Sequence, residues 1–199
     1  INDIYFKSSI NQMFFSLLLF ILIAANTNNI IQLLGNRYQG TQWVIVLISL
    51  TSLIVASTGS SVQIIGTSHK YKIQTYSLGL LVVLSVIFYA IFIPILGMIG
   101  AALGSLLSIS GASLMRVFYL KRNMNLFPYR KIHLRCLAIG IFTFVVVSLV
   151  PAFHNFLIDL LMRCLLIAIL FIGLSYLFRI SDDFNQIADK FLKQTRRVK

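Results

Sequence analysis

The stretch IQTYSLGLLVVLSVIFYAIFI, residues 73–93, runs for 21 residues without a charged side chain. An α-helix needs about 20 predominantly apolar residues to cross the hydrocarbon core of a bilayer. The strands of a membrane barrel alternate apolar and polar residues over about 10 positions, and this stretch does not alternate. A helix also pairs its own backbone groups, as hydrocarbon requires. The stretch therefore predicts a transmembrane helix.

Similar apolar runs precede and follow this stretch, separated by short polar segments. They predict an all-α integral membrane protein, a bundle of about six transmembrane helices over residues 1–178 with a basic tail at 179–199. Asn26 and the polar residues after it interrupt the first run, and Pro94 with Gly97 is expected to end the third. The predicted spans are residues 12–34, 43–65, 73–93, 98–120, 136–150 and 156–178.

Composition supports a membrane protein and argues against a soluble one. The chain is 58% hydrophobic and 11% charged, whereas soluble domains carry about 25% charged residues. Its net charge of +12 would suggest nucleic acid in a soluble protein, but no nucleic-acid-binding motif is present. The basic residues instead cluster between the apolar runs, so we expect membrane lipids and no nucleic acid as partners.

The charged loops predict an orientation. Lysine and arginine are concentrated in the second loop, the fourth loop and the tail, whereas the first, third and fifth loops contain only Arg37. Positively charged loops stay on the cytoplasmic side of a membrane. We therefore expect both termini in the cytoplasm.

No arrangement of residues indicates catalysis or metal binding. The chain has no glutamate and five scattered aspartates, whereas a membrane phosphotransferase needs clustered carboxylates to hold its metal. Cys136 and Cys164 lack metal-ligand spacing and are expected to be buried as small apolar side chains. Asp159 and Arg163 are spaced to neutralise each other near one end of the sixth span. We predict no catalytic residue, no metal site and no cofactor.

Three segments carry a family resemblance when taken in order. They are residues 33–38 (LLGNRY), 65–72 (IGTSHKYK) and 93–102 (IPILGMIGAA). Over residues 1–125 this order resembles the C-terminal half of the polysaccharide flippases, within the multidrug/oligosaccharidyl-lipid/polysaccharide exporter superfamily. The family often has an asparagine shortly before the proline of the third segment. Residues 85–89 here contain none, so a role for that side chain is absent.

The resemblance implies a function and a partner. Such transporters have about twelve helices in two six-helix lobes, and move undecaprenyl-diphosphate-linked oligosaccharide across the bacterial inner membrane by alternating access. This chain would be the second lobe of a two-lobed transporter, with a six-helix N-terminal lobe completing it. A multidrug or cation antiporter of the same superfamily, a membrane-bound enzyme of cell-envelope synthesis and a structural membrane protein are the alternatives. A wide polar groove along the first two spans would favour transport.

Polar residues form stripes on the first two spans, the helices that face the central cavity in the resembled family. Two interpretations stay open, since the stripes fit a substrate path as well as hydrogen bonding and packing between helices. Larger amides have less use in packing and could bind sugar hydroxyls. The substrate-path candidates are Gln12, Ser16, Asn26, Ser49, Ser52, Ser60 and Gln63.

Three cations are candidates for contact with the diphosphate, namely Arg37, Lys70 and Arg116. For Arg37 and Lys70 the alternative is an ordinary loop position. Arg116 lies about one turn inside the fourth span, and its alternative is to extend toward the lipid headgroups. A stripe of small residues on that span, from Gly97 to Gly111, predicts either a hinge or a helix-packing ridge.

Overall fold

The computed structural model describes residues 2–35, 38–151, 155–181 and 184–185. This part of the chain is helical and contains no β-strand. Five of its helices are long and apolar enough to cross a membrane, and Gln42–Ser57 is apolar but shorter. The predicted all-α membrane bundle is therefore confirmed. The helices are α1 (Asn2–Ala25), α2 (Thr27–Leu34), α3 (Gln42–Ser57), α4 (Ser61–Gly66), α5 (Lys72–Leu96), α6 (Met98–Met124), α7 (Lys131–Ser148) and α8 (Phe156–Leu177).

The first span begins earlier than predicted. The predicted start at Gln12 is wrong, because α1 already begins at Asn2 and buries Tyr5 and Ser9 in its first turns. The predicted interruption at Asn26 is confirmed, since α1 ends at Ala25 and a second helix begins at Thr27. The side-chain amide of Asn26 donates to the carbonyl of Leu22 at 2.9 Å, and such bonds compete with the regular helix ladder.

The second span is not continuous. We predicted one helix over residues 43–65, but α3 ends at Ser57 and α4 begins at Ser61. Gly59 lies between them with a φ of 59°, a left-handed conformation that favours glycine. A Cβ on Gly59 would lie 2.8 Å from the Cα of Ser9. The break therefore lets the backbone of α1 come close to the end of α3.

Helices α5 and α6 form an antiparallel hairpin around Gly97. Pro94 together with Gly97 was expected to end the third span. The expectation is confirmed for Gly97 and wrong for Pro94, because α5 continues through Pro94 to Leu96. Proline keeps a helical φ and removes only one backbone donor, which costs little so near the helix end. The end comes instead at Gly97, which has a φ of 56° and donates its N–H to the carbonyl of Ile93 at 2.8 Å.

The small-residue stripe of α6 packs against α5. A Cβ on Gly100 would lie 2.1 Å from the carbonyl oxygen of Phe92, and one on Gly104 would lie 2.6 Å from the ring of Tyr89. Close backbone approach of this kind stabilises helix pairs in lipid. The packing interpretation of the stripe is therefore confirmed for these glycines.

Helix α1 is the centre of the bundle. It contacts α3, α7 and α8, and α3 also contacts α6, which joins the α5–α6 hairpin to the rest. Phe14 of α1 is fully buried, with its ring centroid 5.2 Å from that of Phe171 in α8. By contrast, α5 exposes a long apolar face, as a helix in contact with lipid does.

The two ends of the bundle differ in charge. One end, here called the basic end, carries the start of α1, the turn 67–71 and the loop 125–130, and the other is called the opposite end. The loop that we predicted over residues 121–135 is shorter, because α6 continues to Met124 and α7 begins at Lys131. Asn125 takes a left-handed conformation (φ 52°) and Leu126 donates to the carbonyl of Leu120 at 3.1 Å, which closes α6 as a helix C-cap.

The start of the predicted tail packs on the bundle. Ile180 is buried, and the hydroxyl of Ser181 donates to the side-chain oxygen of Asn11 at 2.6 Å. The first residues after α8 thus belong to the packed structure. Most of the predicted basic tail, residues 186–199, lies outside the described residues.

Candidate functional site

A groove of about 410 Å³ lies between α1 and α3. Three of the seven predicted path residues line it, namely Ser16, Ser49 and Ser52. The other lining residues are apolar, so the groove is largely apolar, whereas a wide polar groove was the expected mark of transport. The apolar lining residues are Leu19, Phe20, Ile23, Ile45 and Ile48.

The groove serines are bonded to their own helices. Ser16 donates to the carbonyl of Met13 at 3.2 Å, and Ser49 donates to that of Val46 at 2.9 Å. Ser52 bonds in the same way one turn further along α3. A hydroxyl whose proton is used keeps its oxygen lone pairs. The groove therefore offers hydrogen-bond acceptors set among aliphatic and aromatic side chains.

Gln12 and Ser60 lie apart from the groove, in a second polar group at the basic end. The amide of Gln12 donates to the hydroxyl of Ser8 at 3.0 Å, and that hydroxyl lies 2.5 Å from the hydroxyl of Ser60. These contacts join α1 to the break between α3 and α4. Gln12 is exposed, so this group is open to the surroundings of the bundle.

A neighbouring cluster is buried and was missed by the sequence analysis. Ser9 is fully buried and donates to the carbonyl of Ser57 at 2.6 Å, and His133 of α7 lies 3.0 Å from the same hydroxyl. Ser57 also contacts the hydroxyl of Tyr129 at 3.3 Å. The sequence predicts residues 121–135 as a basic loop. His133 lies there between Lys131 and Arg135, so it was not expected to be buried.

Arg116 is enclosed between α5 and α6. It donates to the hydroxyls of Ser77 at 3.0 Å and Ser113 at 2.9 Å, and it is only 7% exposed. The alternative expectation that it extends toward the headgroups is therefore wrong. Its Nε and the hydroxyl of Tyr5 are buried without a partner among the described residues. Arg116 is therefore a buried cation whose Nε–H group has no acceptor among the described residues.

Asn26 lies at the opposite end, away from the groove. It is 1% exposed and contacts Cys164 of α8 with an N–S distance of 3.7 Å. Its neighbour Asn29 donates to Asp159 at 2.6 Å, and Asp159 also binds the Nε of Arg163 at 2.8 Å. The predicted pairing of Asp159 with Arg163 is confirmed. Asn29 was not singled out from the sequence, although it lies in the same polar interruption.

The Arg163 side chain also ties two helices together. Its terminal nitrogens donate to the carbonyls of Val147 at 3.3 Å and Val150 at 3.0 Å. Val147 lies in the last turn of α7 and Val150 lies two residues after the helix ends, where carbonyls have no further turn of helix to pair with them fully. Hydrogen bonds and an ion pair thus connect α2, α7 and α8 at this end of the bundle. The residues that make these contacts are Asn26, Asn29, Asp159 and Arg163.

The remaining candidates are not brought together. Gln63 in α4 and Lys70 in the turn 67–71 are exposed at the basic end, whereas Arg116 is buried. Arg37 lies outside the described residues. The structure thus groups Ser16 with Ser49 and Ser52, and Gln12 with Ser60, and separates the others.

The described residues contain no group of three or more His, Cys, Asp or Glu side chains that could hold a metal ion. Cys136 is buried and Cys164 is partly buried, and both are free thiols. Comparison of the chain with models of protein families, with curated proteins and with solved structures gives no match.

Proposed function

We propose that this chain is one lobe of a membrane transporter that flips lipid-linked oligosaccharide, of the undecaprenyl diphosphate type, across the bacterial inner membrane. The product would serve the synthesis of a cell-surface polysaccharide such as the O-antigen of lipopolysaccharide. An N-terminal six-helix lobe would complete the cavity. Support comes from the multi-pass helical architecture, from the ordered motifs of residues 33–102 and from the groove between α1 and α3.

The ordered motifs of residues 33–102 carry the proposal, because the α1–α3 groove is largely apolar and is not the wide polar groove expected of transport. The groove adds a candidate sugar contact, since it follows α1 and α3, the helices that correspond to the cavity-facing pair of the resembled family. A sugar presents hydroxyl groups at its edges and C–H groups on its faces. The oxygens of Ser16, Ser49 and Ser52 can accept from the hydroxyls, while the aromatic and aliphatic lining suits the faces.

Arg116 is proposed as the contact for the diphosphate. A cation enclosed within a membrane protein is costly and usually pairs with an anion or marks a substrate path. The partners of Arg116 in the structure are neutral hydroxyls, so a phosphate would supply the missing negative charge. Lys70, exposed at the basic end, would meet the substrate earlier.

Asp159 argues against the cation antiporter. Coupling to protons or cations uses an intramembrane carboxylate whose charge can change. The spanning helices of the described residues contain two carboxylates. One is Asp3 at the very start of α1, and the other is Asp159 of α8. Asp159 is engaged by both Arg163 and Asn29, an arrangement that holds its charge in place.

Filling the groove tests the proposal. In cells that express the complete protein, Ser52→Trp should block export of the surface polysaccharide and raise lipid-linked oligosaccharide on the cytoplasmic side. The control is Val83→Trp, since Val83 is 55% exposed on the apolar face of α5. Normal export with Ser52→Trp at wild-type protein levels would contradict the substrate path.

The same variants separate the two transport classes. A flippase variant leaves drug susceptibility unchanged while the lipid-linked intermediate accumulates. A multidrug exporter would show the reverse, with increased drug susceptibility and normal surface polysaccharide. Both measurements are made on Ser52→Trp beside Val83→Trp.

A further inference from the structure

A second groove, of about 700 Å³, lies between α7 and α8 at the basic end. Its α7 side is formed by Arg135, Ala138, Ile139 and Phe142, which are spaced at i, i+3, i+4 and i+7 and so share one face of the helix. Its α8 side is formed by Leu174 and Phe178. Arg135, which is exposed, is the one charged residue among these six.

This groove extends along α7 over about two thirds of the depth of one leaflet. From Arg135 to Phe142 the helix rises about 10 Å, at about 1.5 Å per residue. The hydrocarbon of one leaflet is about 15 Å thick, half of the full core. Arg135 follows the start of α7 by one turn, so we expect its guanidinium near headgroup depth and Phe142 deeper in the leaflet.

The positive charge of Arg135 favours lipids with an anionic headgroup. The loops at this end carry most of the basic residues between the helices, and the cytoplasmic leaflet, which we predict at this end, is the anionic one. A guanidinium forms charge-assisted, often bidentate hydrogen bonds with phosphate. Basic pockets between transmembrane helices on this side commonly hold anionic headgroups.

We propose that the α7–α8 groove binds one acyl chain of an anionic phospholipid whose headgroup phosphate is held by Arg135. The proposal does not depend on what the protein transports.

The test uses the complete protein in detergent, with phosphatidylglycerol and phosphatidylcholine of identical acyl chains as probes and bound lipid counted by native mass spectrometry. We expect the wild type to prefer phosphatidylglycerol. Arg135→Gln should reduce the phosphatidylglycerol affinity about tenfold. Arg122→Gln, which removes an exposed cation of α6 that does not line the groove, should leave it unchanged.

A groove-filling pair tests the position of the chain. Ala138→Trp should also reduce phosphatidylglycerol binding about tenfold, whereas Leu134→Trp, on a 71% exposed apolar position of the same helix, should not. Equal losses with Arg135→Gln and Arg122→Gln would overturn the proposal in favour of general surface attraction. Full binding by Ala138→Trp, or a protein dimer without bound lipid, would overturn it as well. Circular dichroism of each variant verifies that the helices are retained.

Discussion

The Nε2 atom of His133 lies 3.0 Å from the hydroxyl oxygen of Ser9, although 124 residues separate the two in the chain. The N–H of Arg130 donates to Nδ1 of the same ring at 3.2 Å, so the ring carries its proton on Nε2 and donates to Ser9. The hydroxyl of Ser9 in turn donates a hydrogen bond to the carbonyl of Ser57 at 2.6 Å. One histidine thus connects α7 and α1 to the end of α3.

His133→Leu should lower the free energy of unfolding by roughly 1–3 kcal/mol, since it leaves buried polar groups without a partner. The measurement is unfolding in mixed detergent micelles followed by circular dichroism. His69→Leu is the control, because His69 is exposed in the turn 67–71. Equal stability of the two variants would contradict the structural role of the His133 contact.

Gly100→Ala should lower stability by about 1–3 kcal/mol, the usual cost of overpacking, because its Cβ would meet the Phe92 carbonyl oxygen at 2.1 Å. Gly79→Ala in α5 is the matched change, since a Cβ there meets nothing within 4 Å. It should be neutral or stabilise by about 0.5–1 kcal/mol, as alanine is the better helix former. Thermal unfolding in detergent compares the two, and a stable Gly100→Ala protein would refute the close packing of α5 on α6.

Asp159→Asn should destabilise the fold by about 3–5 kcal/mol, because it leaves the largely buried guanidinium of Arg163, 12% exposed, without its opposite charge. The control is Asp3→Asn. It removes the exposed ion pair with Arg130, in which the two side chains are 85% and 49% exposed, and such pairs contribute about 0–1 kcal/mol. The double variant Asp159→Asn with Arg163→Gln should recover part of the loss. Similar melting temperatures for Asp159→Asn and Asp3→Asn would show that the buried pair is dispensable.

Arg116→Gln should abolish most polysaccharide export while leaving thermal stability equal or higher. It removes a buried charge whose partners are neutral hydroxyls, so the cost of burying the charge is relieved and no opposite charge is left unpaired. A role in packing alone predicts the opposite pattern, with stability lost before export. Arg122→Gln, an exposed change on the same helix, is expected to keep both properties.

Cysteines at Lys70 and Asn125 should be shielded from an impermeant thiol reagent in intact cells, whereas a cysteine at Gln39 should react. The charge distribution motivates this prediction, since it puts the basic end in the cytoplasm. The background replaces Cys136 and Cys164 with alanine. Labelling of the Asn125 position from outside the cell would reverse the topology.

The fold class follows from sequence because it depends on local properties. Runs such as residues 73–93 are long, uncharged and continuous, and only a helix satisfies such a backbone in hydrocarbon. The ends of the spans were less predictable. Lys131 and Arg135 marked residues 121–135 as a loop, although the start of α7 carries both.

The break at Gly59 had a local signal, since residues 57–61 read STGSS. Small and hydroxyl-bearing residues are also common where transmembrane helices pack together, so this stretch fitted a continuous span as well. The ion pair of Asp159 with Arg163 was predictable, since i,i+4 residues are neighbours on any helix. Its contact with Asn29 was not, because 130 residues separate the two.

Sequence alone thus determined that this chain is a helical membrane protein, which residues are polar within its spans and which loops are basic. Tertiary structure decided which of those polar residues meet. It put Ser16, Ser49 and Ser52 along one groove, turned Asn26 toward α8 and enclosed Arg116 between α5 and α6. The physical reason is that periodicity determines the face of a helix on which a side chain lies, whereas the neighbour of that face is set by packing between helices distant in sequence.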